Sequence, residues 1–161
     1  DGKYYLVGYS NYGGSIGGIL GTGTYDTLVM KLDSNLETIW TRYIGEPKYQ
    51  YVRDAVVGLY DSLYVTGSTG GPIGGQNYAG SGDIDMSHFS SEGLLLATRV
   101  LGGTQGDTGL LIEVDRSGDP FFWARVMSPL VLGYKSNSYR VMWRVGEMMV
   151  DNSAECRNDD V

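Results

Sequence analysis

The chain has 161 residues, 42% of them hydrophobic, and a formal charge of −7. That suits a globular domain able to bury a core and argues against nucleic-acid or anionic-membrane partners, both of which select clustered Lys and Arg. Its single cysteine, Cys156, excludes an internal disulfide and a thiolate metal cluster, and no apolar run approaches the roughly 18–20 residues of a membrane helix, so no membrane insertion is expected.

In chain order, alternating apolar residues predict strands at 4–9, 27–33, 37–44, 51–58, 62–68, 82–90, 93–101, 109–115 and 119–126, with a blurred last pair within 138–151. "SNLE", "SEG" and "RSGD" supply turn chemistry between neighbours. No segment shows a capped 3.6-residue period, so helix is expected to be nearly absent. Setting "DTLVMKLDSNLETIWTRYIG" (26–45) above "DIDMSHFSSEGLLLATRVLG" (83–102) pairs Asp26 with Asp83, Ile39 with Leu96 and Thr41-Arg42 with Thr98-Arg99, at an offset of 57. Four strands per period of this size mark a propeller blade.

The expected fold is all-β, with β-propeller-type four-stranded antiparallel blades, about two and three-quarter of them in this chain. Residues 1–45 form a partial blade whose first strand is missing, 46–102 a second blade, 103–151 a degenerate third, and 152–161 a polar tail. The segment "LLIEVDRSGDPFFWARV" also aligns with "LVMKLDSNLETIWTRY" at an offset of 82, which would make it an outer hairpin instead. The chain opens on Asp1, as expected of a processed start or of a piece of something longer.

The glycine-rich stretches "YGGSIGGILGTGTYD" and "GGPIGGQNYAGSGD" raise the question of phosphate binding. A Walker loop needs Lys-Ser or Lys-Thr after its last glycine, and a dinucleotide loop must open a helix. Both stretches lead into alternating strands instead, so they read as connections from the inner to the outer pair of a blade.

"SLYVTGSTG", "YDTLVMKLDSNLETIWTRYIGE" and "LGGTQGDTGLLIEVDRSGDPFF" resemble the bacterial and archaeal seven-bladed β-propeller repeat abbreviated SBBP. The match covers residues 1 to about 126, and departs from the pattern where Trp123-Ala124 replaces the repeat of Thr66-Gly67. "LDSNLETIW" and "VDRSGDPFFW" are more faintly similar to the Asp-to-Trp spacing of quinoprotein (PQQ) blades, which implies packing roles for Trp40 and Trp123. The adjacent cysteine pair of the quinone enzymes has no counterpart, so no cofactor is expected. The SBBP resemblance implies a secreted or cell-surface location. Propellers usually close with four to eight blades, so the expected partners are copies of the same chain or the rest of a longer propeller.

Candidate sites are few. His88, the only histidine, lies in an alternating strand with no serine or cysteine motif and reads as a solvent-facing residue. Asp83 and Asp85 share one side of a strand, but no calcium-loop glycine and glutamate follow. Asp26 and Asp83 read as acceptors for loop amides that fix the start of a strand. Tyr9, Tyr12, Tyr25 and Tyr78 flank the glycine loops, where they either cap the loops or stack on sugar rings. The expected function is a noncatalytic structural or adhesive module of a larger extracellular assembly or filament. The alternative is a lectin-like module binding glycans.

Overall fold

The computed structural model describes residues 2–11, 14–16, 18–22, 24–45 and 47–127, and the backbone of 138–144 and 147–151. Alternation of apolar and polar residues produces strands throughout. Sheet I contains β1 (Tyr4–Asn11), β4 (Tyr25–Leu32) and β5 (Thr38–Ile44) in the order β1-β4-β5. Sheet II runs β6 (Gln50–Val57), β7 (Leu63–Thr69), β8 (Asp83–Phe89) and β9 (Leu95–Leu101). Sheet III runs β10 (Thr108–Val114), β11 (Pro120–Arg125), β12 (Ser138–Arg144) and β13 (Glu147–Asp151). Every pairing inside these sheets is antiparallel, between strands that follow one another in chain order within the sheet. The protein is therefore all-β, built of propeller-type meanders. Its one helical element among the described residues is a single 3₁₀ turn, Leu59–Asp61.

The pair β10-β11 joins β12 along β11, making it the inner pair of sheet III and ruling out the outer-hairpin alignment. The described part of the first glycine loop folds into a two-residue ribbon, β2 (Ser15–Ile16) with β3 (Ile19–Leu20), before entering β4. The second leads directly to β8. Both loops thus link an inner strand to an outer one.

The sheets stack face to face, β1 and β4 against β6, and β10 against β6 and β7. Between sheets I and II the seam holds Val29, Trp40, Ile44, Leu63, Val65 and Phe89. Between sheets II and III it holds Tyr64, Ile84, Met86, Ile112, Phe122 and Ala124. Full burial of such a side chain contributes about 1.5–3 kcal/mol, which makes these two layers the main source of stability. Gly67 lies opposite Asp85 in sheet II, and a Cβ there would sit 1.8 Å from the Tyr51 carbonyl oxygen, so the strand tolerates no larger residue.

The 57-residue period is visible in the hairpin turns. Asp33 Oδ1 accepts the amides of Asn35 and Glu37 at 2.8 and 2.9 Å, and Ser90 Oγ accepts those of Glu92 and Leu94, both at 3.2 Å. Asp115 Oδ1 repeats the arrangement with Ser117 and Asp119 at 2.8 and 2.9 Å. The fourth residue of each turn is left-handed: Leu36 at φ 65°, Gly93 at 78° and Gly118 at 85°. Gly58 has no side-chain acceptor, and its turn instead places Tyr60 and Asp61 in the left-handed region at 57° and 59°, at about 1–2 kcal/mol each.

Trp40 bridges sheet I to the β8-β9 turn. Its Nε1 donates to the Ser91 carbonyl at 3.0 Å, its ring stacks on Phe89 at 6.5 Å, and Arg42 lies over it while donating from Nε to the Gly93 carbonyl at 2.8 Å. A Cβ at Gly93 would meet the indole at 2.7 Å, in addition to the left-handed strain. Gly93→Ala is expected to destabilise the protein by about 2–3 kcal/mol and to shift Trp40 emission; chemical unfolding followed by tryptophan fluorescence measures both, and an unchanged midpoint would refute this packing.

Asp85 is 3% exposed, its Oδ1 has no partner, and burial pushes its carboxyl up to about 7, against an opposing contribution from its own backbone amide. A folded-state value above the ordinary 3.8 means that the folded chain holds the proton longer. The contribution of this group is then fully present below pH 4 and is lost as pH rises towards 7, by roughly 4 kcal/mol at most. Asp85→Asn should therefore raise Tm near pH 8 and change it little near pH 4, as thermal melts at the two pH values will show.

Candidate functional site

The end of the sheet I–II seam beside the glycine loops is aromatic. Tyr9 on β1 and Tyr25 on β4 are register neighbours of Thr27 and Asn11 and point from the same face of sheet I as Val7 and Val29. They meet Tyr51 of β6, with ring centroids 5.4 Å (Tyr9) and 4.9 Å (Tyr25) away, and lie 5.9 Å from each other. Tyr49 extends the group, 5.1 Å from Tyr51. The Tyr9 pair contacts are edge-on, the arrangement favoured by ring quadrupoles. Tyr9 is 57% exposed, whereas Tyr25, Tyr49 and Tyr51 are half-buried, so the cluster shows an aromatic surface on a fixed base.

Of the four tyrosines expected from sequence, the structure brings Tyr9 and Tyr25 together. Tyr78 is half-buried and feels the Tyr49 hydroxyl and the Asp83 carboxylate, which place it beside the far end of the row. Tyr12 lies outside the described residues, as do Cys156 and the 152–161 tail. Tyr49, in the link between the sheets, and Tyr51, on β6, are additions. Their spacing of two residues at the start of a strand, putting both side chains on one face, was the available signal. Tyr49 is fixed by its hydroxyl, which donates to the Ser81 carbonyl at 2.8 Å, and by the backbone bridge of Tyr25 to Tyr49.

The hydroxyls lie close enough to perturb one another. Burial pushes the Tyr51 hydroxyl above its usual range, reinforced by the charge and hydrogen bond of Tyr25 and by Tyr9 and Tyr49. Burial does the same to Tyr49, with Asp83 adding to it. Asp83 Oδ2 accepts the Ala79 amide at 2.7 Å, the loop-fixing role expected for it. Burial raises its carboxyl, the Ala79 bond lowers it and the Asp107 charge raises it, leaving it above the usual value. Asp107 fixes the next junction by accepting the amides of Gly103 at 2.9 Å and Met127 at 2.7 Å. Among the described residues, no three His, Cys, Asp or Glu side chains gather as a metal-binding group.

His88 departs from the expected solvent-facing position. Its ring stacks on Tyr64 at 4.1 Å and 12°, its Nε2 is buried, and burial lowers its pKa. The neighbouring Tyr64 ring supplies covering that a single strand's alternation does not reveal.

A hydroxyl raised above its ordinary value keeps its proton longer in the folded state, so its contribution to stability is lost as pH climbs past 10. Tyr51→Phe removes the ionising group and should flatten the alkaline fall in stability above pH 10; urea unfolding at stepped pH measures the slope, and identical slopes would refute the clustered environment.

No protein-family model matches the chain, and no curated protein matches it.

Proposed function

We propose that the chain is a noncatalytic β-propeller-type repeat module, a structural or adhesive element of a larger extracellular assembly. The observation that carries this reading is the free flank of sheet I. β1 pairs with β4 along one edge and with no described strand along the other, whereas β7, its counterpart in sheet II, has β6 there. An unpaired edge is a template for a further strand. The face of β1 turned away from sheet II presents Tyr4 and Leu6, 51% and 47% exposed. A further repeat sheet, from a longer chain or from a copy of this one, pairs the edge and covers the face. The recurring polar residues support a scaffold reading, because Asp33, Ser90, Asp115, Asp83 and Asp107 all serve turns and strand starts. Extracellular placement rests on the resemblance to SBBP repeats. The test is the mass of the native particle by light scattering: several times 17.5 kDa is expected, and a native particle of 17.5 kDa overturns the proposal.

The tyrosine cluster favours a second reading, a lectin-like module in which the exposed Tyr9 ring and its neighbours stack on the C–H faces of a sugar. A neutral glycan giving saturable heat in calorimetry, lost in Tyr9→Ala, is the expected result; a glycan array with no binder removes this reading.

A further inference from the structure

Both sheet junctions derive from one period, so each position in the first has a counterpart in the second. At the sheet I–II junction the space beside the turn is filled by Lys31, whose side chain is 4% exposed. Its Nζ donates to Asp61 Oδ2 at 2.6 Å and to the Ser91 carbonyl at 2.7 Å, and lies 5.2 Å from the centre of the Tyr5 ring. Burial pulls the ammonium pKa down, but the bonds to Asp61 and Tyr5 outweigh it and hold the group charged. Trp40, the register partner of Lys31, closes the site.

At the sheet II–III junction, His88 stands in the place of Lys31 and Ala97 in the place of Trp40. Tyr64 pairs with His88 as Tyr5 pairs with Lys31. Asp119 stands one position along the turn from the counterpart of Asp61. The long lysyl stem and the indole are replaced by shorter side chains, and a cavity of about 380 Å³ opens between the β6-β7, β8-β9 and β10-β11 turns. Tyr60, Tyr64 and Leu96 form apolar walls, Glu92 and Asp119 supply carboxylates, and no Lys or Arg among the described residues lines the cavity. The His88 ring lines one side, with its Nε2 buried behind the surface. Tyr60, 93% exposed and left-handed, stands at the mouth.

We propose that this cavity binds an alkylammonium group, from a lysine side chain or a free primary amine, in the position that Lys31 fills at the neighbouring junction. The methylene chain lies along the apolar walls, and the ammonium faces Asp119, Glu92 and the tyrosine rings, which favour a cation.

His88 is the only histidine, so one imidazole resonance reports on the site. The full chain is titrated with n-butylammonium, and in parallel with butyrate and n-butanol. A saturable His88 shift with butylammonium alone, at a Kd on the order of millimolar, is expected. Asp119→Asn should weaken binding about tenfold, and His88→Lys, followed by saturation transfer from protein to ligand, should abolish it by restoring an internal ammonium. Absence of saturation, an equal response to butyrate or butanol, or unchanged affinity in a folded Asp119→Asn protein overturns the proposal. A second arm compares butylammonium with Nα-acetyl-lysine methylamide. Tighter binding of the latter assigns the site to a partner's lysine; equal or weaker binding assigns it to free amines.

Discussion

A four-stranded antiparallel sheet with apolar residues on both faces is stable only when other sheets cover it, and this constraint organises the whole chain. Leu63, Val65 and Phe89 leave one face of sheet II for sheet I, while Ile84 and Met86 leave the other for sheet III. Sheet II is consequently a layer with no solvent-facing side over much of its area, and β7 is buried along its entire length. Polar groups that enter this layer are costly unless paired. Asp85, with an unpartnered oxygen inside the seam, is the clearest case, and its raised pKa is the electrostatic form of that cost.

The two ends of the seams solve different problems. At the loop end, aromatic rings meet across the seam, and loop amides are tied to Asp83 and Asp107. At the turn end, charged and hydrogen-bonding side chains reach across to the neighbouring sheet's exposed carbonyls, as Lys31, Trp40 and Arg42 do with Ser91 and Gly93. These long-range polar links set the relative position of the layers, which an apolar contact alone leaves free to slide.

Strand positions, their antiparallel pairing and the turns were legible because they depend on neighbours in sequence: alternation marks a half-covered strand, and Asp33, Ser90 and Asp115 carry their own turn acceptors. The aromatic cluster was legible only in part. Tyr9 and Tyr25 belong to adjacent strands, but Tyr49 and Tyr51 join them from the next sheet, and no local pattern encodes which rings meet across a seam. His88 illustrates the same limit, since its stacking on Tyr64 depends on register between β7 and β8. Lys31 and Asp61, 30 residues apart, form their ion pair for an equally nonlocal reason.

Two short parallel bridges, Tyr25 to Tyr49 and Gly82 to Gly106, pin the starts of β4 and β8 to the start of the following sheet. The second bridge is the first displaced by one period at both of its ends. Each joint is thereby self-contained, reading only the unit before and the unit after. Lengthening or shortening such an array by a whole period disturbs no joint elsewhere, so an ancestral gene could grow by tandem duplication without having to re-solve the geometry already in place.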